Sequence, residues 1–253
     1  MIRLDVALVE RGLVGSRSRA SDLVKRGLVK VNGKVETTVS RKVTADDQLT
    51  LPAREGDRVS RAGEKLAAIL RRYQITVSGW ALDVGASTGG FTQELLNAGA
   101  SKVVALDVGH GQLHASLKQD SRVIDLSGIN FRDVTLQWLA ETLGKEPDFR
   151  FVSVDVSFIS LRQILPVVIE VAPKADVAVL IKPQFEVGRD GLDGRGVVKS
   201  LVLRNEAVRG VIQFANALGY RVKGFMPTPV RGEHGNQEFI LWISPEGRQY
   251  PQQ

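Results

Sequence analysis

Ala81-Leu82-Asp83-Val84-Gly85-Ala86-Ser87-Thr88-Gly89-Gly90-Phe91 is the stretch from which the fold of this chain is read. An apolar run, 81–84, ends in Asp-x-Gly. A turn of small residues follows, and a helical pattern opens at Gly90. Glycine lets the backbone pass close to a ligand where a β-carbon would clash. Exposed amides at a helix start favour a carboxylate or phosphate. In a doubly wound sheet, the carboxyl end of such a strand is where ligands bind. On either side of this turn, helical and strand-like patterns alternate. Helices are predicted over 62–72, 90–97, 112–118, 135–143, 161–171 and 201–218. Strands are predicted over 81–84, 102–107, 122–125, 149–155, 177–182, 221–226 and 238–243. Alternation of this kind implies a mostly parallel sheet covered on both faces. Only 227–237 separates the last two strands, with no long helix, which favours a final antiparallel strand.

The first 59 residues read differently. Leu4, Ala7 and Leu8 fall on one helical face. Ser16 or Ser18 can cap a second helix whose Ala20, Leu23 and Val24 face inward, and Gly27 stands where a helix-ending glycine belongs. Arg19 and Arg26, seven apart, share a face away from that core. Asn32-Gly33 between short apolar runs is a hairpin signal. A further short strand is expected within 43–51, and 52–57 has the look of a linker. The predicted organisation is a small α+β module with its linker over 1–59, a larger α/β domain over 60–246 and a flexible tail over 247–253.

Charge separates the same two parts. The chain carries a net +6, and residues 1–44 hold ten Lys/Arg against four Asp/Glu, which accounts for the whole excess. A concentrated basic patch is the footprint of a polyanion binder; a solvated basic surface is the plainer alternative. Arg3, Arg17, Arg19, Lys25, Arg26, Lys30 and Lys34 are the candidate nucleic-acid contacts. There is no cysteine, which fits a reducing compartment and excludes disulfides, thiolate metal sites and cysteine nucleophiles. No apolar run approaches the roughly 18 residues of a membrane span, and the start lacks an apolar signal core. Location in the cytoplasm and no membrane partner are the expectations. His110, His114 and His234 are not spaced as a metal site.

The glycine spacing is G-x-S-x-G-G, not the dinucleotide fingerprint G-x-G-x-x-G. The next strand ends in Asp107, an acid placed to accept from ribose hydroxyls. A glycine turn with a second-strand acid fits a dinucleotide or S-adenosylmethionine. Asp83 favours the latter, because an acid there suits a cationic amino-acid ligand. A tight turn with no ligand is the bland alternative. The candidate cofactor-binding residues are Asp83, Gly85, Ser87, Thr88, Gly89, Gly90, Phe91, Asp107 and Asn130.

The fourth predicted strand ends in Asp155-Val156-Ser157-Phe158 and the fifth in Lys182-Pro183-Gln184-Phe185. A lysine finishing an apolar run is out of place unless it meets a partner or a cleft. Glu238 begins the last strand and Lys65 lies in the first helix of the large domain, so two lysines and two carboxylates can converge. Such a set suits a ribose hydroxyl, a poor nucleophile at neutral pH. A neutral lysine can take its proton, and a charged one can stabilise the alkoxide. Carbon-5 pyrimidine methylation needs a cysteine. Exocyclic-amine methylation usually shows Asp/Asn-Pro-Pro-Tyr/Phe where this chain has Asp155-Val156-Ser157-Phe158. Spacing alone is equally compatible with separate surface ion pairs.

These segments resemble one family over nearly the whole chain. Arg3-Leu4-Asp5, Ser18-Arg19-Ala20 and 27–33 resemble an RNA-binding module named after a small-subunit ribosomal protein. Ser60-Arg61-Ala62-Gly63-Glu64-Lys65-Leu66, 83–91, 107–113, 155–160, 182–186 and Gly235-Asn236-Gln237-Glu238 resemble the catalytic half of the TlyA-type ribosomal RNA ribose methyltransferases, a group also labelled hemolysin A. The resemblance implies a class I S-adenosylmethionine methyltransferase fold of the FtsJ type, Rossmann-like with a seven-stranded, mostly parallel sheet. It implies a Lys-Asp-Lys-Glu catalytic tetrad at Lys65, Asp155, Lys182 and Glu238, and a cytidine ribose in ribosomal RNA, presented on ribosomal subunits, as the target. Ala62 stands where many relatives have glycine. A non-enzymatic ribosome-assembly factor and a membrane-acting hemolysin are the rival functions, with a dehydrogenase behind them. The glycine-rich stretch 186–198 is either a lid over RNA or a merely flexible loop.

Overall fold

Apolar side chains that recur every second residue in strands and every third or fourth in helices must be buried on one side, and they organise this chain into two units. In the computed structural model, residues 1–51 and 59–247 are described, and the chain divides into Met1–Ser60 and Arg61–Gln253. The 52–57 linker, and the tail beyond residue 247, lie outside the described residues.

The first unit runs β1 (Ile2–Arg3), α1 (Leu4–Glu10), α2 (Arg17–Lys25), β2 (Val29–Val31), β3 (Lys34–Glu36), β4 (Lys42–Val43) and β5 (Leu49–Thr50). Leu4, Ala7 and Leu8 of α1 pack with Ala20, Leu23 and Val24 of α2 and with Val29, Val31 and Val43 in one buried cluster. The Ser16 hydroxyl caps α2 by accepting from the Arg19 amide at 3.3 Å. Asn32 and Gly33 both have positive φ, 52° and 79°, which is the turn geometry that joins β2 to its antiparallel partner β3.

Two expectations fail here. The strand expected within 43–51 is two short strands, β4 paired to β1 and β5 paired to β2. Between them the Asp47 carboxylate accepts from the Thr44 amide at 2.7 Å, a local side-chain bond of the kind that shapes turns rather than strands. Arg19, expected to face away from the core, is only 8% exposed. It precedes Leu23 by one helical turn, so its stem lies along the core flank, and its guanidinium turns to Asp22 at 3.6 Å.

The second unit runs α3 (Gly63–Arg72), β6 (Trp80–Val84), α4 (Gly90–Asn97), β7 (Lys102–Asp107), α5 (Ala115–Lys118), β8 (Val123–Ser127), α6 (Leu136–Leu143), β9 (Phe149–Val154), α7 (Leu165–Val171), β10 (Asp176–Ile181), α8 (Pro183–Glu186), α9 (Leu201–Ala217), β11 (Tyr220–Pro227) and β12 (Phe239–Pro245). The seven strands from β6 onward form one sheet in the order β11-β12-β10-β9-β6-β7-β8. β12 is antiparallel to both its neighbours, while β6 to β10 run parallel where they pair. This is the sheet expected of a class I methyltransferase, final antiparallel strand included. Leu82, Val84, Val104, Leu106, Val152, Val154, Val177 and Val179 line one buried face of the sheet. The alternate positions Ala81, Asp83, Val103, Ala105, Phe151 and Ser153 are buried on the other. Burial on both faces explains the near-continuous apolar runs.

The helix expected over 112–118 starts late, at Ala115, because the residues before it are held by side chains. Gln112 Oε1 accepts the Ser87 hydroxyl at 3.0 Å, and His114 Nδ1 accepts from the Ser116 amide at 3.3 Å and caps the helix. The helix expected over 161–171 is a 3-10 turn, Leu161–Gln163, followed by α7.

Candidate active site

The turn after β6 is built on backbone approach. Gly85 has φ +84°, and a β-carbon there would stand 2.3 Å from the Asp155 carbonyl oxygen. The Asp155 amide donates to the Val84 carbonyl at 2.9 Å. The tips of β6 and β9 therefore touch through main chain, and only glycine fits between them. Gly89, at φ +96°, would carry a β-carbon 2.2 Å from Leu117 Cδ1. Gly90 opens α4, and Phe91 is 2% exposed beneath it. Ser87 and Thr88 are exposed at the apex. Asp107, at the end of β7, accepts from the Ser87 amide at 2.8 Å and from the Gly109 amide at 2.7 Å. It shapes the turn as well as facing it. Asn130 accepts from the Arg132 amide at 3.2 Å and caps a 3-10 turn past β8.

Asp83 departs from its expected direction. It is completely buried. It accepts the Thr92 hydroxyl of α4 at 2.6 Å and the Ser153 hydroxyl of β9 at 2.8 Å. The period-2 alternation of β6 turns residue 83 under α4 instead of past the strand tip. Asp83 is thus an internal tie between β6, β9 and α4. Burial pushes its carboxyl up to about 6, against the pull of the two hydroxyls. The folded state takes up a proton at a pH where the unfolded chain has already lost it. Stability from this group is full below about pH 4 and is lost as pH rises through about 6, a swing of roughly 3 kcal/mol for a two-unit shift. Urea unfolding of the wild type and of Asp83→Asn at pH 4.5 and 7.5 reads it directly. The wild type is expected to gain on the variant at the acid end; parallel curves refute the assignment.

The four candidate reactive residues come together at one edge of the sheet. Asp155 follows β9, Lys182 follows β10, and Glu238 precedes β12. Ile181 pairs with Phe239, so the register carried one step further sets Lys182 opposite Glu238. Lys182 Nζ lies 2.7 Å from Asp155 Oδ1 and donates to Ser157 Oγ at 2.9 Å. Lys65 Nζ lies 2.5 Å from Glu238 Oε2. Lys65 is brought there by α3, whose Gly63 would carry a β-carbon 2.9 Å from the Gly90 carbonyl oxygen, so α3 rides on the start of α4. Glu238 in turn lies against Gly232, where a β-carbon would be 2.0 Å from Glu238 Oε1. All four side chains are mostly shielded, between 3% and 14% exposed. Shielding from water strengthens such pairs, unlike ion pairs scattered on a surface.

Several neighbours escaped the sequence reading. In the sequence Ser157 stands out only as part of the 155–160 stretch; the fold makes it a partner of Lys182. Phe158 is 87% exposed at φ +63°, with its ring 5.2 Å from that of Phe185. Asn236, 3% exposed, accepts from the Val198 amide at 3.1 Å and donates to the Gly196 carbonyl at 3.0 Å. The stretch 186–198 is therefore tied to the loop that leads into Glu238. Within it, the amides of Val197 and Arg195 hold the Asp193 carboxyl down at about 2.

Among the seven candidate contacts of the first unit, Lys25, Arg26, Lys30 and Lys34 are exposed. Arg3 and Arg17 both reach the buried Asp5, at 2.9 and 3.1 Å, with side chains 42% and 63% exposed. Arg19 is the one the fold turns inward.

Two protein-family models match the chain. The S4 domain family matches residues 2–49, and the FtsJ-like methyltransferase family matches residues 58–244. The 16S/23S rRNA (cytidine-2′-O)-methyltransferase TlyA of Mycobacterium tuberculosis is 41% identical over 245 residues, spanning 95% of this chain and 89% of that protein. The chain belongs to the TlyA-type FtsJ-like methyltransferases. Hemolysin A of Brachyspira hyodysenteriae is also similar to this TlyA-type chain, 36% identical over 94% of it and 98% of the relative. The solved structure of a hemolysin-named protein from Streptococcus thermophilus superposes with a TM-score of 0.73 at 36% identity, over 97% of this chain and 88% of that one. Among the described residues of the TlyA-type chain, no helix is long and apolar enough to cross a membrane.

Proposed function

We propose that this chain methylates the 2′-hydroxyl of a cytidine ribose in ribosomal RNA, with S-adenosylmethionine as donor. The observation that carries the reading is the backbone contact between Gly85 and Asp155. It sets the glycine turn directly beside the residue that pairs with the Lys182 amine. The names of the curated relatives supply the substrate class.

The cradle fits the donor. Gly85 admits the Asp155 main chain and Gly89 the Leu117 and Leu113 side chains, so the turn closes tightly with Ser87 and Thr88 exposed at its apex and Asp107 facing it. Gly85, Ser87, Thr88, Gly89, Gly90 and Asp107 would hold it, with Phe91 packed beneath and Asn130 beyond. When bound, S-adenosylmethionine supplies a methyl group already activated by a sulfonium. The chain's task is then to place the ribose hydroxyl and manage its proton. Lys182 is the group we assign to that proton, oriented by Asp155 and Ser157. The Lys65–Glu238 pair forms the adjoining wall. Phe158, exposed beside Lys182, offers a flat apolar surface to a nucleobase.

We assign residues 1–59 to RNA binding and 60–246 to methyl transfer. The exposed cations Lys25, Arg26, Lys30 and Lys34, with Arg3 and Arg17 partly engaged by Asp5, would grip RNA phosphates with little regard to sequence. The setting is ribosomal subunits in the cytoplasm.

The test is transfer of labelled methyl groups from S-adenosylmethionine to unmodified ribosomal subunits. Alkaline hydrolysis follows, because a ribose lacking a free 2′-hydroxyl resists cleavage at that nucleotide. Label in alkali-resistant dinucleotides at a cytidine is expected. Binding of subunits without transfer would instead support a non-enzymatic assembly role, and label on a base would refute ribose chemistry.

A further inference from the structure

We infer that Glu186 is a positioning residue for methyl transfer: its carboxylate clamps the segment after β9 onto the segment after β10 and so keeps Lys182, Asp155 and Ser157 in register. The inference rests on the methyl-transfer reading above and names a residue outside the four candidate reactive residues.

Glu186 ends α8, four residues past Lys182. One of its oxygens accepts the Ser160 hydroxyl at 2.7 Å, and the other accepts the Leu161 amide at 2.8 Å. Ser160 passes the connection on, since its Oγ accepts from the Arg162 amide at 3.2 Å at the head of the 3-10 turn Leu161–Gln163. Burial pushes the Glu186 carboxyl up, opposed by these bonds and by the nearby Arg162 charge. A carboxylate is not kept in such a place without bonds that compensate its desolvation.

What lies between the anchors gives the clamp its purpose. Residues 156–160 form no helix or strand. They contain Ser157, the second partner of Lys182, and Phe158, whose positive φ is unfavourable for a bulky residue unless its surroundings hold it. This segment and Asp155 just before it meet 182–186 at Asp155–Lys182, Ser157–Lys182 and Phe158–Phe185. Those three contacts fix its near end. The two bonds to Glu186 fix its far end. Without them, Phe158 can relax out of the left-handed region and draw Ser157 away from the Lys182 amine.

The experiment uses the full chain and the variants Glu186→Ala, Glu186→Gln, Ser160→Ala and the Ser160→Ala/Glu186→Ala double. Hydrogen exchange of the 156–162 amides reports the clamp without need of activity. Steady-state kinetics on ribosomal RNA and calorimetry with S-adenosylmethionine report its consequence. Glu186→Ala is expected to speed exchange across 156–162 and to lower kcat about 10- to 100-fold, with cofactor Kd held within about twofold. Glu186→Gln, whose side-chain carbonyl can still accept from Leu161, recovers most of the rate. Ser160→Ala falls between, and the double variant is no worse than Glu186→Ala, because the two residues act as one unit. An unchanged kcat in Glu186→Ala overturns the inference while the wild type remains active. So does a kcat loss matched by an equal loss of cofactor binding, since that marks general unfolding. A wild type that transfers no methyl group removes the underlying reading as well, and is recognised by that result alone.

Discussion

Lys182→Ala lowers kcat for methyl transfer by about 10³-fold, in the range expected for loss of a positioned proton acceptor, while S-adenosylmethionine binds as it does to the wild type. The expectation follows from where the amine is held. Lys182 Nζ sits between Asp155 Oδ1 at 2.7 Å and Ser157 Oγ at 2.9 Å, off the tip of the strand next to the one that touches the glycine turn. Truncation removes the amine and leaves the turn intact. Lys182→Arg separates the two things a lysine can do. An arginine keeps a positive charge but does not give up its proton near neutral pH. If Lys182 takes the proton, Lys182→Arg is as slow as Lys182→Ala; if it only stabilises the alkoxide, Lys182→Arg keeps a substantial part of the rate. Single-turnover rates and calorimetry on the three proteins decide. A Lys182→Ala enzyme within a fewfold of wild type removes Lys182 from the reaction.

Gly85→Ala is expected to be still more disruptive, because it strikes fold and site together. At φ +84° any L-residue is strained by about 1–2 kcal/mol, and the new methyl would lie 2.3 Å from the Asp155 carbonyl oxygen. That oxygen is main chain, so it cannot swing aside. Either the β6 turn or the β9 tip must move. Overpacking of this kind adds roughly 1–3 kcal/mol, for a total destabilisation of about 2–5 kcal/mol. Cofactor affinity should fall by about 100-fold or more, since any shift moves the amides that line the cradle. Gly144→Ala is the control. Gly144 has φ +70° but nothing within 4 Å of its would-be β-carbon, so it carries the backbone strain without the collision. It should lose about 1–2 kcal/mol and bind cofactor normally. Urea unfolding and calorimetry on both variants separate strain from collision; a Gly85→Ala protein that matches Gly144→Ala shows the contact to be unimportant.

Features that depend on a few adjacent residues were legible in the chain. Asn32-Gly33 announces its hairpin because two consecutive positive φ angles need those residue types. The run from Ala81 to Phe91 announces a strand, a tight turn and a helix for the same kind of reason. The apolar runs between helices announce a parallel sheet, and the short 227–237 connection announces the antiparallel last strand. Positions 155, 182 and 238 could be picked because each adjoins a strand end. Features that depend on which distant side chains meet were not legible. Arg19 reads as solvent-facing, yet packing buries it and sets its head group on Asp22. Asp83 looked ligand-facing until the stacking of α4 put Thr92 over it. Lys65 and Glu238, 173 positions apart, meet where helix packing sets α3 against the start of α4, with Gly63 at the close approach. Local residue type constrains φ, side-chain period and helix or strand ends within a few residues. Contacts such as Lys65–Glu238 and Glu186–Ser160 are set by strand register and helix packing, which are settled collectively by burying the whole core.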